Sequence, residues 1–213
     1  MNQFPPLSRS MLLGWLALGM VSFWSPSSTF AQNLTYTPTP SNPVGRAPQA
    51  ITSGDFNGDG LWDVATVNGT SDDVSVLLGN GNGTFRAAVS FGVGKIPLAL
   101  VAEDMDGDEI LDLVLALSGS DQVVVLKGEG TGLFHRLASQ DAGKGTTFLA
   151  VQDLNGDGWK DVVAVNSGRF GYYPPFNLAV LLNDGKGGLK DPITYENEDR
   201  DGMFPTGVLI EDM

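Results

Sequence analysis

The chain has 213 residues, and its 25 aspartate and glutamate side chains outnumber 12 lysine and arginine side chains, for a net charge of -13. Nucleic acids and anionic membrane surfaces attract basic proteins, so this charge argues against both as partners. The absence of cysteine excludes disulfides, iron–sulfur clusters, cysteine-ligated zinc and thiol nucleophiles. The 28 glycines, which follow no collagen-like period, indicate many tight turns and favour an all-β architecture.

Residues 1–31 have the order of a secretory signal peptide. Arg9 precedes an apolar run from Met11 to Trp24, and a stretch rich in serine and proline then ends at Ala31. The run is shorter than the roughly 20 residues that a membrane-spanning helix needs. We therefore expect cleavage after Ala31, no membrane insertion after cleavage, and a secreted protein, extracellular or periplasmic. The alternative is an uncleaved anchor. Residues 32–47 are predicted to form an extended lead-in.

From residue 48 onward the sequence repeats itself with a period of 49 residues. Asp55 recurs at Asp104 and again at Asp153, and the surrounding glycines and valines keep the same spacing. The predicted repeat units are 48–96, 97–145 and 146–204, with a partial unit at 205–213. A period between about 20 and 50 residues is typical of solenoids, propellers and arrays.

Within each unit the apolar runs are short, rich in β-branched residues and bounded by glycine, which predicts strands. Four such strands fit into one unit. The run from Leu113 to Leu117 does not alternate with polar residues, so this strand should be buried on both faces. Small sheets stacked side by side bury their strands in this way. The sequence therefore predicts an all-β fold, a β-propeller with one four-stranded blade per repeat.

An acidic loop separates the first and second predicted strands of each unit. Loop one is residues 55–63, loop two is 104–112 and loop three is 153–161. Each has Asp at position 1, Asp or Asn at position 3, and Asp at positions 5 and 9. Oxygen atoms at alternate positions of a tight loop converge on one point, as calcium requires, and position 7 should add its backbone carbonyl while its side chain packs inward. The predicted calcium ligands are Asp55, Asn57, Asp59, Leu61, Asp63, Asp104, Asp106, Asp108, Ile110, Asp112, Asp153, Asn155, Asp157, Trp159, Asp161 and, in the partial unit, Asp212.

The acidic loops allow two other interpretations. An EF-hand needs a glutamate at position 12, where this chain has Thr66, Leu115 and Ala164 within predicted strands. Alternatively, the Asp and Asn side chains merely cap turns, but three or four carboxylates within nine residues repel one another unless a cation is present. Loop two departs from the pattern at Glu109, which replaces the glycine at position 6, where a positive φ is expected.

The chain closely resembles the FG-GAP or VCBS repeats of secreted bacterial proteins. The resemblance lies in these loops and in the segments that follow them, from Val74 to Phe85 and from Phe91 to Pro97. Those repeats are similar to the calcium-bearing blades of integrin α-subunit propellers. The resemblance covers residues 48–213 and departs at Glu109, Thr146 and Leu189. It implies a propeller, seven-bladed in the typical case, with calcium in the hairpin loop of each blade.

The repeats fall short of a full ring. Residues 48–213 make about 3.4 units, whereas closed propellers have about four to eight blades. We therefore expect an incomplete propeller whose remaining blades lie in sequence C-terminal to residue 213. Closure by association with another copy is the alternative.

The expected function is that of a binding or cell-adhesion platform for a protein or carbohydrate partner. The alternative is the N-terminal part of a propeller-based polysaccharide lyase or hydrolase. Such an enzyme needs acid and base groups, but most carboxylates belong to the loops, and the single histidine, His135, aligns with Arg86 and Lys190 as a solvated strand residue.

The third unit carries an insertion that is rich in aromatic residues. Aromatic side chains on loops give contact area at low entropic cost. The residues of this insertion predicted to bind a ligand are Arg169, Phe170, Tyr172, Tyr173 and Phe176. Alternatively, the aromatic residues pack the longer loop against the propeller.

Overall fold

Three antiparallel sheets of four strands follow one another along the chain. The computed structural model describes residues 41–168 and 177–196, which belong to the compact unit Pro38–Met213. The strands are β1 Pro48–Gly54, β2 Asp63–Asn68, β3 Asp73–Leu77, β4 Val89–Gly92, β5 Pro97–Glu103, β6 Asp112–Leu117, β7 Gln122–Gly128, β8 Phe134–Asp141, β9 Thr146–Gln152, β10 Asp161–Asn166, β11 Asn177–Leu181 and β12 Ile193–Glu196. In the described segments no helix is long and apolar enough to cross a membrane.

Each sheet is an up-and-down blade, because its strands pair in the order in which they occur in the chain. Strands β1–β4 form blade 1, β5–β8 form blade 2 and β9–β12 form blade 3. This confirms the all-β fold of four-stranded blades expected from the repeat. The described part of the chain is consistent with an incomplete β-propeller.

The same register closes the acidic loop in all three blades. The last paired residues of the first two strands are Gly54 and Asp63 in blade 1, and Glu103 and Asp112 in blade 2. In blade 3 they are Gln152 and Asp161. Position 9 of each loop is therefore also the first residue of the blade's second strand, which fixes it relative to the sheet.

The apolar core lies between neighbouring blades. Leu113, Leu115 and Leu117 of β6 join the cluster shared with blade 1, whereas Val114 joins the cluster shared with blade 3. Side chains on a strand point alternately to its two faces, so an unbroken apolar run supplies two interfaces at once. All six residues of β6 are buried, as expected for a strand that is apolar on both faces.

Position 2 of loops one and two contacts the next blade. The backbone N–H of Gly132 donates to the carbonyl of Phe56 at 2.8 Å, and Asn183 Nδ2 donates to the carbonyl of Met105 at 2.8 Å. Phe56 and Met105 are 1% and 0% exposed, but the equivalent Leu154 of blade 3 is 40% exposed. The acidic loops thus contribute to the packing of one blade on the next.

Candidate metal centre

Position 1 of each loop receives a set of backbone N–H donors. In loop one, Asp55 Oδ1 accepts from Gly58 at 2.8 Å and from Asp59 at 3.2 Å, while Oδ2 accepts from Gly60 at 2.8 Å. The Gly60 N–H, followed by those of Asn57, Gly58 and Asp59, lowers the pKa of Asp55 against the opposing effect of desolvation. The loop backbone therefore favours the charged carboxylate even without a cation.

The other two loops repeat this arrangement. Asp153 accepts from Gly158 at 2.9 Å and from Gly156 at 2.8 Å, and the Gly158 N–H is the main cause of its lowered pKa. In loop two, Asp104 accepts from Gly107 at 2.8 Å and from Glu109 at 2.9 Å. These are the Asx-type hydrogen bonds of the alternative interpretation, and they leave room for a cation because each carboxylate oxygen has more than one lone pair.

Position 9 is a buried aspartate that links two segments of its own blade. Asp63 accepts the N–H of Phe56 through Oδ2 at 2.9 Å and the N–H of Gly79, beyond β3, through Oδ1 at 2.7 Å. Asp112 makes the equivalent bonds with Met105 and Gly128 at 2.9 and 2.8 Å. Burial raises the pKa of Asp112, although both N–H donors oppose the rise.

In blade 3, Asp161 accepts from Leu154 at 3.1 Å and from Asn183 at 2.8 Å. This linking role was missed by the sequence analysis, which treated position 9 only as a ligand. The available signal was that each position 9 begins a strand.

Positions 3 and 5 differ between the loops. In loop one, Asn57 Nδ2 donates to Asp59 Oδ2 at 3.0 Å, and in loop three Asn155 donates to Asp157 in the same way at 3.0 Å. Loop two has an aspartate at position 3, Asp106, whose side chain has no N–H to donate. The carboxylate of Asp106 instead contacts the ammonium of a lysine from β7.

Loop two gathers three carboxylates around one point. One oxygen from each of Asp104, Asp106 and Asp108 lies within 4.8 Å of the other two, which fits a calcium ion that takes oxygen ligands at about 2.3 to 2.6 Å. Asp106 Oδ1 is buried, and no described residue donates a hydrogen bond to it. A buried oxygen without a donor is costly, and a cation would satisfy it. The residues of loop two therefore fit a calcium ion.

Lys127 lies beside the same carboxylates. Its Nζ contacts Asp106 Oδ2 and lies 2.7 Å from Asp108 Oδ2. These two hydrogen bonds raise the pKa of Lys127 above its ordinary value. The bond to Lys127 is likewise the main cause of the lowered pKa of Asp108, followed by the backbone N–H of Ile110.

Position 7 packs against the glycine-rich turn that follows the third strand of its blade. A Cβ at Gly81 would lie 3.0 Å from Leu61, and one at Gly130 would lie 3.4 Å from Ile110. A Cβ at Gly185 would likewise lie 3.4 Å from Trp159 Nε1. These half-buried side chains therefore lie beside the turn, and ligation by their carbonyls stays a prediction.

Some predicted site residues lie outside the described residues. They are Asp212 of the partial unit and the proposed ligand-binding residues Arg169, Phe170, Tyr172, Tyr173 and Phe176. His135 is described, and it lies exposed on β8 with Nδ1 3.2 Å from a Glu129 carboxylate oxygen.

A second repeated feature lies at the other end of the blades, and the sequence analysis missed it. In the β2–β3 turn, Asp72 accepts from Lys95 Nζ at 2.6 Å and from the N–H of Ile96 at 2.9 Å. In the β6–β7 turn, Asp121 accepts from Lys144 Nζ at 2.9 Å and from the N–H of Gly145 at 3.0 Å. Each aspartate ties a turn to the connection that leads into the next blade. The signal was present, because both residues of the pair recur after 49 positions.

Comparison with known proteins matched a family model and several solved structures. No curated protein matches the chain. A chain from the Photorhabdus luminescens Tc holotoxin pore is similar at 18% identity and a TM-score of 0.40, over 72% of this chain and 7% of that chain. The FG-GAP-like repeat matches residues 55–115 and 104–164. These two matches include all three acidic loops and extend over more than half of the sequence, so the chain belongs to the FG-GAP-like repeat family.

Proposed function

We propose that this chain is a secreted β-propeller module, braced by calcium, that acts as a binding or adhesion platform for a protein or carbohydrate. The observation that carries the calcium proposal is the buried Asp106 Oδ1, which lacks a hydrogen-bond donor inside a cluster of three carboxylates. The recurrence of the acidic loop in every described blade extends the proposal to loops one and three.

In this proposal the side chains at positions 1, 3, 5 and 9 and the carbonyl at position 7 hold the ion. Bound calcium supplies positive charge that offsets the mutual repulsion of the carboxylates. The chain's own residues prepare the loop for it. Backbone N–H groups hold Asp55 and Asp153 in place, and Asp63 fixes the loop to the sheet at Gly79. Because position 2 packs on the next blade, an ordered loop also orders the interface between blades.

Thermal unfolding with calcium and with a chelator tests the proposal. A ligand that binds only the folded state raises stability by RT ln(1 + [L]/Kd), so unfolding should shift to higher temperature as calcium is added and should saturate. Asp59→Asn and Asp157→Asn should each reduce this shift, because both side chains are exposed loop carboxylates at position 5. Asp141→Asn on β8 is the matched control and should retain the full shift. A transition that is identical in calcium and in chelator would refute the calcium proposal.

Support for a binding role comes from the described surface as well as from the loops. Function concentrates on loops held by a rigid scaffold. Trp62, at position 8 of loop one, is 73% exposed and lines an open cleft of about 460 Å³ with Asp55 and Glu103. An exposed indole beside carboxylates suits the stacking and hydrogen bonding that sugars use. His135 lies exposed beside Glu129 and does not line this cleft, which favours binding over acid–base catalysis.

Binding to immobilised glycans, measured with and without calcium, tests the platform role. Trp62→Ala examines the cleft, and the double variant Tyr172→Ala with Tyr173→Ala examines the insertion in the third repeat. Whichever variant weakens binding without changing the melting temperature identifies the recognition surface. Release of a soluble sugar during these assays would instead support the alternative enzyme.

Secretion is tested separately by expressing the whole chain in a host that exports proteins. Mass spectrometry of the exported protein should give Gln32 as its first residue. An intact N-terminus on a protein retained in the cell would contradict both the signal peptide and secretion.

A further inference from the structure

Blade 2 has a lysine where the other two blades have leucine. Leu77, Leu126 and Leu181 each pair with the residue that follows position 9. The next residue along the chain is Leu78 in blade 1, Lys127 in blade 2 and Leu182 in blade 3. The lysine is thus specific to the blade whose loop has an aspartate at position 3.

The Lys127 ammonium is held close to loop two and is partly removed from solvent. It bonds to Oδ2 of both Asp106 and Asp108, and its side chain is 27% exposed. The ammoniums of Lys95 and Lys144, which also bond to aspartates, belong to side chains that are 73% exposed. Charge pairs that are shielded from water interact more strongly than exposed ones.

Lys127 and Asp106 together replace a neutral asparagine. In loops one and three, the amide at position 3 donates to the aspartate at position 5, and the ligand set has three carboxylates. In loop two, Lys127 donates to that aspartate instead, and the ligand set has four carboxylates. Adding the lysine to the four carboxylates of this predicted ligand set gives the same net charge as the three carboxylates of each of the other two predicted ligand sets. An ammonium on the chain thus supplies part of the neutralisation that a metal would otherwise supply.

We propose that Lys127 is a tethered cation that holds loop two together without metal and lowers its affinity for calcium below that of loops one and three. This inference rests on the proposed calcium function of the loops. The buried Asp106 Oδ1 still offers calcium a ligand, but calcium must bind against the charge of the nearby ammonium or displace it. Lys127 therefore sets the order in which the three loops bind calcium, and the loop of blade 2 binds it last.

Calorimetric titration of the metal-free full chain with calcium tests the first half of the proposal. The wild type should show loop two as its weakest site. Lys127→Leu, which installs the residue found in blades 1 and 3, should tighten that site by about tenfold or more, since removing a charge a few ångströms from a divalent ion is worth more than 1.4 kcal/mol at intermediate dielectric. Lys144→Leu removes the same charge far from the acidic loops and should leave all sites unchanged. Adding Asp108→Asn to Lys127→Leu should abolish the gain.

Unfolding in chelator tests the second half. Without metal, Lys127→Leu should lower the melting temperature more than Lys144→Leu does, because the Asp106 and Asp108 carboxylates lose their counter-charge. In saturating calcium this extra loss should largely disappear. Lys127→Arg, which keeps the charge, should behave like the wild type in chelator.

The two proposals fail in distinguishable ways. If the wild type binds calcium but Lys127→Leu changes neither the weakest site nor the melting temperature in chelator, the tethered-cation inference is wrong and the calcium function stands. If only Lys127→Leu binds calcium, loops one and three bind none, so both the proposed order of binding and the calcium function of the natural chain are wrong. If neither protein binds calcium, both proposals are overturned.

Discussion

The ring of Phe56 meets the ring of Phe134 edge-on, with their centroids 5.6 Å apart and their planes at 75°. Phe56 is position 2 of loop one, and Phe134 is the first residue of β8 in the next blade. The N–H of Phe56 also donates to the position-9 carboxylate of Asp63. One residue therefore connects the acidic loop to the interface between blades, so the order of the loop and the packing of the blades depend on each other.

Phe56→Ala should destabilise the protein by about 3–5 kcal/mol, because it leaves a cavity where a fully buried ring meets the next blade. Urea denaturation in saturating calcium gives the free energy of unfolding. Leu154→Ala is the matched control, since Leu154 has the same position in loop three but is 40% exposed. It should cost about 1 kcal/mol or less. Equal losses in the two variants would contradict the idea that position 2 acts through the next blade.

Asp63→Asn should lower stability in chelator by about 1–3 kcal/mol. Both oxygens of Asp63 accept backbone N–H groups, and an amide NH₂ in place of one oxygen would face a buried donor. The experiment is run without metal so that lost ligation cannot account for the result. Asp59→Asn is the control for a loop carboxylate that is exposed, and in chelator it should be nearly neutral. If the two variants lose the same stability, position 9 has no separate linking role.

The repeat pattern predicted the blade architecture because it is local and periodic. The unbroken apolar run from Leu113 to Leu117 indicated burial on both faces, and β6 is buried on both faces. The replacement of glycine by Glu109 indicated a positive φ, and that residue has a φ of 66°. In both cases the information lies within a few residues of sequence, where backbone sterics and side-chain alternation decide the outcome.

Contacts between distant strands were harder to predict from the sequence. Lys127 lies 21 residues beyond Asp106, and only the register of β6 with β7 brings the two together. Asp63 looked like one more ligand in a calcium pattern, and its bond to Gly79 depends on where β3 ends. The Asp72–Lys95 pair recurs after 49 residues, but its bond depends on how the β2–β3 turn meets the connection into the next blade, which the recurrence alone does not show.

The hydrogen bonds that Asp72 accepts from Lys95 and Ile96 should make part of the protein's stability sensitive to acid. The N–H of Ile96, followed by the bond to Lys95, lowers the pKa of Asp72 below its ordinary value of 3.8. A carboxyl whose pKa is lower in the folded state contributes stability above its unfolded pKa and loses it as the pH falls through the folded pKa. Asp72→Asn should therefore destabilise the protein by a constant amount near neutral pH, and this difference should shrink as the pH falls below 3.8.

Asp72→Asn removes the charge without straining the backbone, because Asn tolerates the positive φ of 59° at this position as well as Asp does. Denaturant unfolding of both proteins across this pH range gives the difference directly. In a protein that also carries Lys95→Met, Asp72→Asn should cost less stability at neutral pH. The reason is that Lys95, one of the two groups that favour the charged form of Asp72, is then absent. A difference between wild type and Asp72→Asn that does not change with pH would show that the Asp72 charge contributes nothing.

Glu109→Gly should stabilise the protein in chelator by about 0.5–1 kcal/mol. Glu109 has a φ of 66°, whereas its equivalents Gly60 and Gly158 adopt positive φ without a Cβ penalty. The backbone N–H of residue 109 can still donate to Asp104 Oδ2, and one negative charge leaves the loop. The greater freedom of glycine in the unfolded chain offsets part of the gain. The reverse change in loop one, Gly60→Glu, should destabilise by a similar amount, and urea unfolding of both variants measures the pair. If Glu109→Gly lowers stability, the left-handed backbone of loop two is not strained and the explanation of this departure from the repeat is wrong.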